Sequence, residues 1–326
     1  MSHALTVATR RGQLAVAQTQ SVIAALKAGH PQIEIRIREI VSAGDRDRTT
    51  ALWDLKDTGF FTSQLEEALL AGEADLAVHS FKDLPTREHE GLAVTAICDR
   101  TWPEDCLLCR VGPAHQTSEE MVGTAHPTIA DVLARLPKCA KVGTSSLRRA
   151  AQLRHVRPDL ELVPLRGNVQ TRINKLHSED LDAILLARAG LERLGLADAI
   201  SIAFDPKEFI PAPAQGALAI QTRSGDEATM EIVRSIDDAS SRAVALAERQ
   251  VLATMQCGCH APVGAYAERQ GDTIEVHAFI ADAEGHRMIR KTAVGPISQA
   301  VEVGERVACE LVDAGGAEIL RELERG

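Results

Sequence analysis

The chain has 326 residues, enough for two or three domains. Its hydrophobic content of 45% is ordinary for a globular protein and too high for a disordered one, and a net charge of −10 argues against a general nucleic-acid binder. No apolar run reaches the roughly 18 residues of a membrane span, and Met1-Ser2-His3-Ala4 lacks the basic and apolar stretches of a signal peptide, so a cytoplasmic protein is expected.

Residues 5–10 read as a strand and 13–27 as a helix. Ile33, Ile35 and Ile37 alternate with Glu34, Arg36 and Arg38, the period of a strand with one wet face. Ser63 and Glu66 have the spacing of a capping box for a helix carrying Leu65, Ala68 and Leu69, and Gly72 ends it. Short buried strands follow at 75–78 and 92–98. Strands alternating with helices imply βαβ units and a mainly parallel sheet.

The pattern breaks around residues 100–103, the expected domain boundary. It restarts with a strand at 140–143, a helix from about Leu147, a strand at 160–165, a helix after Asn168, and a strand at 181–187 with a helix stopping at Gly195. Residues 210–216, rich in Pro and Ala, read as a hinge. A helix over 241–255 opens the last third. Two alternating runs, 273–281 and 286–294, are joined by the turn Asp282-Ala283-Glu284-Gly285, and helical stretches follow at 298–313 and 316–323. This last part reads as a smaller α+β domain.

In open α/β sheets, ligands sit at the carboxyl ends of strands. Three clusters fall there: Thr9-Arg10, Ser80-Phe81-Lys82-Asp83 and Thr144-Ser145-Ser146. The third opens a helix, whose free N–H groups favour an anion. Arg148 and Arg149 lie in that helix's first turn, against its dipole, so either both point to solvent or something negative binds them. Between Ser146 and Arg172 stand six arginines (Arg148, Arg149, Arg154, Arg157, Arg166, Arg172) against Asp159 and Glu161, a basic patch in an acidic chain. The patch suggests a specific anionic ligand, with a solvated helix face as the alternative; the planar guanidinium can grip a carboxylate through two bonds.

Seven cysteines, an odd number, do not suggest a disulfide scaffold. One, Cys259, stands in a loop of Gly and Pro after the 241–255 helix, where a thiol can carry a covalent group. Cys106-x-x-Cys109 with Cys257-x-Cys259-His260 makes a poor zinc pattern, since Cys-x-Cys is unfavourable spacing and the pairs fall in different expected domains, so no metal is expected.

Three segments together carry a resemblance: 74–85, with His79-Ser80-Phe81-Lys82-Asp83-Leu84-Pro85; 142–149, continued by Leu165-Arg166-Gly167-Asn168-Val169-Gln170-Thr171-Arg172; and Cys257-Gly258-Cys259-His260-Ala261-Pro262-Val263-Gly264. They resemble the porphobilinogen deaminase (hydroxymethylbilane synthase) family, from about residue 5 to the C-terminus. The resemblance implies two periplasmic-binding-protein type II-like α/β domains flanking a cleft, 1–100 plus 217–236 and 104–210, and a smaller α+β domain, 239–326. It implies a transferase that condenses four porphobilinogens, with loss of ammonia, onto a covalent dipyrromethane and then releases hydroxymethylbilane by hydrolysis.

In the family's pattern Asp83 is the acid–base group, and Cys259 holds the dipyrromethane cofactor through a thioether. Pro262 and Gly264 set that register, although Cys257 replaces a usual glycine. Substrate and cofactor contacts are expected from Arg10, Asp45, Phe61, Ser80, Lys82, Thr144, Ser145, Ser146, Arg148, Arg149, Arg166, Gly167, Asn168, Arg172, Gln215 and Gly216. The implied partners are porphobilinogen and the growing polypyrrole, with no nucleic acid and no membrane, acting on a monomer. Gly12 replaces a usual serine, and Asp54 and Thr58 stand where lysines are common, with Lys56 between them. The rival reading is a non-catalytic two-domain binder of a small anion, which would need neither Asp83 nor the Cys259 loop.

Overall fold

The computed structural model describes residues 4–41, 62–110, 128–256 and 261–323. Asp45, Phe61, the segment from Asp54 to Thr58, and Cys257 to His260 with Cys259 lie outside the described residues.

Strand β1 (Ala4–Arg10) leads into helix α1 (Gln13–Gly29) and then β2 (Glu34–Ile40); α2 (Ser63–Leu70) leads into β3 (Leu76–Ser80), a 3₁₀ turn (Phe81–Asp83) and β4 (Leu92–Cys98). Next come β5 (Asp105–Cys109), α3 (Ile129–Ala134), β6 (Lys141–Gly143), α4 (Leu147–Val156), β7 (Glu161–Val163), α5 (Val169–Ser178), β8 (Ala183–Ala187), α6 (Arg188–Glu192) and β9 (Ile202–Ala203). The chain then forms β10 (Leu218–Arg223), α7 (Glu227–Arg234) and α8 (Ala239–Met255). It ends with β11 (Val263–Gln270), β12 (Thr273–Ala281), β13 (Met288–Pro296), α9 (Ala300–Leu311) and α10 (Ala317–Leu323).

Two five-stranded sheets share one layout. The first runs β2-β1-β3-β10-β4 and the second β7-β6-β8-β5-β9. Each has three parallel strands joined to an antiparallel neighbour, β10 beside β3 and β5 beside β8. These are two α/β units of like layout, as expected for the two domains of the cleft. The antiparallel sheet β11-β12-β13, covered by helices, makes the smaller C-terminal unit. Interior strands are buried on both faces: four consecutive residues of β3, Leu76 to His79, are buried, three of them apolar. Each sheet has its own core, around Val7, Leu26 and Leu76 in the first, Leu133, Val142 and Leu153 in the second, and Val251, Val276 and Leu311 in the third. Each fully buried side chain of this size contributes about 1.5–3 kcal/mol.

The expected capping box at Ser63 is not formed. Ser63 is already helical, and the N-cap is Thr62, whose side chain makes no capping bond. Glu66 is turned inward instead, where its Oε1 accepts from Gln221 Nε2 on β10 at 3.2 Å. A buried carboxylate takes the sheet's amide donor rather than reaching back along the helix. Gly72 N does close the helix end, donating to Leu69 O at 3.1 Å. Among the described residues no helix is long and apolar enough to cross a membrane.

Candidate active site

The end of β3 is built to project one carboxylate. Phe81 and Leu84 are buried anchors on either side of the 3₁₀ turn, and Asp83 between them is exposed. Lys82 is half-buried, and its Nζ donates to Gln215 Oε1 at 3.2 Å. Burial pushes its ammonium down to about 8, with Asp83 opposing the shift and Arg149 adding to it. Ser80 Oγ accepts from Gln18 Nε2 on α1 at 2.9 Å. His79, one residue earlier, is buried on the strand. Desolvation lowers it to about 4, with a Gln221 hydrogen bond opposing and the charge of Arg10, at the end of β1, adding.

The N-terminus of α4 is linked to this turn through Gln215 and Asp105. Ser146 caps it, accepting from Arg149 N at 3.4 Å. Thr144 Oγ1 accepts from Ser146 N at 3.3 Å, and Ser145 Oγ bonds Leu165 O at 2.9 Å. These three residues thus brace the loop between β6 and α4 against the end of β7.

Neither arginine of the pair points to solvent, and the anion that holds them belongs to the chain itself. Asp105, the first residue of β5, is fully buried. Its Oδ2 accepts from Arg148 Nη2 and its Oδ1 from Arg149 Nη2, both at 2.6 Å. Arg148 Nη1 also donates to Ile210 O at 2.7 Å, and Arg149 Nη1 to Leu185 O at 3.1 Å. Gln215 Nε2 adds a bond to Asp105 Oδ1 at 2.9 Å. Burial alone would raise the Asp105 carboxyl, but the two guanidiniums outweigh it and hold it well below the usual carboxylate range. Two cations on one anion leave the cluster net positive.

Arg166 and Arg172 extend the positive wall. The Arg172 guanidinium is lowered to about 10 by burial first and then by Arg149, with Asp83 opposing and Arg166 adding. Arg172 thus lies within electrostatic reach of Asp83, Arg149 and Arg166. Arg172 Nε donates to Gly167 O at 2.7 Å, and Asn168 caps α5 by accepting from Thr171 N at 2.8 Å. Gly167 and Gly216 are backbone requirements. Gly167 has φ +115°, and a Cβ on it would meet Thr171 at 2.7 Å. Gly216 has φ +94°, and a Cβ there would meet Thr101 O at 2.1 Å.

The hinge and α8 complete the arrangement. Glu248, fully buried, pairs with Arg100 and accepts from Ala214 N at 2.6 Å and Ala267 N at 2.8 Å. The helix ends at Met255 with Gln256 in a left-handed cap (φ 51°), directly before the segment that holds Cys259. Cys106 lies in β5, where its Sγ donates to Leu186 O at 3.3 Å and burial pushes the thiol up to about 12.

Asp105 and Gln18 bond expected site residues, and Glu248 and Arg249 bond the chain beside them, yet sequence reasoning named none of the four. Glu248 and Arg249 did leave a signal: they interrupt the otherwise apolar face formed by Val244, Ala245, Ala247, Val251 and Leu252. Asp105 left none, since its partners lie 43 and 44 residues away.

A carboxylate-rich dipyrromethane fits this donor set. Arg149 Nε and Arg166 Nη2 are buried with no hydrogen-bond partner among the described residues, on a wall with more cations than anions. Two family descriptions match the chain: "Porphobilinogen deaminase, dipyromethane cofactor binding domain" over residues 5–231 and "Porphobilinogen deaminase, C-terminal domain" over 243–313. The chain is 40% identical over 320 residues to the porphobilinogen deaminase of Roseiflexus castenholzii, covering 98% of this chain and 99% of that one. It is 39% identical over 326 residues to that of Desulforudis audaxviator, covering 100% of both, and 40% identical over 318 residues to that of Deinococcus radiodurans, covering 97% of both. The likeness runs through the C-terminal unit as well, which a simple two-domain anion binder would not require.

Proposed function

The chain belongs to the porphobilinogen deaminase family, and from that premise we propose that it is a transferase whose cleft works through Asp83, the arginine wall and Cys259. The observation that carries this reading is the placement of Asp83. It is an exposed carboxylate on a buried-anchored turn, facing a wall in which arginines outnumber acids.

When bound, dipyrromethane supplies the pyrrole chain to which incoming rings are joined. Cys259 is the residue that would hold it, and Arg149, Arg166 and Arg172 would neutralise carboxylates. Asp83 handles the protons. Its carboxyl group hands one to the amine of porphobilinogen, the C–N bond breaks and ammonia leaves. The resulting carboxylate faces the substrate's azafulvene cation and stabilises it. It then takes up the ring proton released on coupling, which restores the carboxyl group. Lys82, kept in place by Gln215, adds positive charge beside it. The family likeness also supports a monomer acting in the cytoplasm.

Intact-mass spectrometry with a turnover assay tests the reading. Wild type and Cys257→Ala should both be heavier than the sequence by one dipyrromethane, and both active. Cys259→Ala should lack the added mass and the activity. Asp83→Asn should keep the mass and lose at least about a hundredfold in turnover, the lower range for a positioned acid–base group. An adduct that survives Cys259→Ala, or near-normal turnover of Asp83→Asn, overturns it.

A further inference from the structure

We propose that Arg249, on helix α8 of the C-terminal unit, is a positioning residue that fixes the Asp83 turn. This rests on the assignment of Asp83 made above. Arg249 is only 8% exposed. Its Nη1 donates to Phe81 O at 3.1 Å and Leu84 O at 2.8 Å, and its Nη2 to Pro85 O at 2.5 Å. Its guanidinium also lies over the Phe81 ring, 4.3 Å from the centroid. One planar group thus grips backbone carbonyls on both sides of Asp83, from a point 164 to 168 residues further along the chain.

The turn needs such a grip. Its own closing bond, Leu84 N to Phe81 O, is 3.3 Å long, and its flanks at Ser80 and Leu84 are extended. Pro85 has no N–H to give. A fork of coplanar donors can hold three carbonyls at once, and a lysine ammonium cannot reproduce that geometry. Charge-assisted bonds are the stronger kind, and the cation–π stack on Phe81 fixes the plane of the fork.

The same helix carries the adjacent residue, Glu248, to the hinge at Ala214. Six residues beyond Arg249 the helix ends at Met255, about 9 Å along its axis at 1.5 Å per residue. Helix α8 therefore binds the Asp83 turn at one point and the 210–216 connection at the next residue, so Arg249 ties the turn to the C-terminal unit. Because it bonds the turn's carbonyls and acts on the chemistry only through Asp83, its loss should lower turnover without weakening substrate binding.

The test uses purified holoenzyme with Arg249→Met and Arg249→Lys, each alone and combined with Asp83→Asn. Both single variants should keep the covalent adduct mass. Turnover of Arg249→Met should fall on the order of tenfold to a hundredfold, as for a reacting group displaced by about 1 Å, with KM within about twofold. Arg249→Lys should lie between Arg249→Met and wild type, and serves as the test variant if Arg249→Met does not accumulate. In the Asp83→Asn background neither change should cost anything further, since the group being positioned is gone. An equal loss in both backgrounds, or a raised KM with unchanged turnover, overturns the proposal and leaves Asp83 standing. Near-normal turnover of Asp83→Asn alone removes the Asp83 assignment, and the proposal with it.

Discussion

Lys82 Nζ donates to Gln215 Oε1 at 3.2 Å. Through that amide the turn after β3 is joined to the hinge, and through Gln215 Nε2 to Asp105 and the arginine pair. Lys82 is lowered to about 8 by burial, so its charge is lost just above neutral pH. The pH profile of kcat/KM should show an alkaline limb with a midpoint near that value, which Lys82→Arg should abolish because a guanidinium stays charged. A limb unchanged in Lys82→Arg would assign it elsewhere. The same shift acts on stability with a definite sign. Between about 8 and the ordinary lysine value of 10.5 the unfolded chain binds more protons at this site, so the penalty of burying Lys82 shrinks as pH rises through that window.

Asp105→Asn leaves two buried guanidiniums without their carboxylate. Breaking a buried pair in this way costs about 3–5 kcal/mol, so the urea midpoint should drop clearly while far-UV circular dichroism stays native. A loss below about 1 kcal/mol, the level of a surface pair, would mean that the cluster is open to solvent.

His79 gives the fold an acid sensitivity. Its folded value of about 4 lies below the ordinary 6.5, so the folded state favours the neutral ring. That contribution is complete above 6.5 and is lost as pH falls from 6.5 toward 4, roughly 3 kcal/mol in all. Unfolding free energies measured at several pH values should show this slope in the wild type, and His79→Gln should flatten it. An equal slope in both proteins would place the sensitive group elsewhere.

Arg166 has a buried nitrogen with no partner among the described residues, and in the proposed function it takes a ligand carboxylate. Arg166→Leu should raise KM on the order of tenfold, the loss of one hydrogen bond to a charged group. Arg166→Lys should recover only part of that, and added salt should weaken substrate use less in the Leu variant. Identical salt dependence in wild type and Leu variant would remove Arg166 from the carboxylate contacts.

Periodic elements were legible because their pattern is local. The 92–98 strand and the 273–281 run have the bounds expected of them, and α4 begins at Leu147 as its Ser146 cap implies. Strand β5 was not legible. It follows the break at residues 100–103, is only five residues long, and its Cys-x-x-Cys spacing invited a metal reading. With β5 went Asp105, so the helix dipole argument for Arg148 and Arg149 found the need for an anion without the one that the chain itself supplies. Ser63 and Glu66 failed for the same reason: the spacing was right, but Gln221, 155 residues away, competes for the carboxylate. Residues whose partners are local announce themselves, and those held across units do not.

Strand β10 sits between β3 and β4, and Leu218 pairs with both Ser80 and Cys98. The first unit therefore lacks its fourth strand until roughly 120 residues after Cys98 have been made, the second unit among them. At about 5–20 residues per second this delay lasts roughly 6–24 s on the ribosome. Throughout it the edges of β3 and β4 are open to strays. The second unit, contiguous in sequence from β5 to β9, has no such wait, so the nascent chain completes its middle before its beginning.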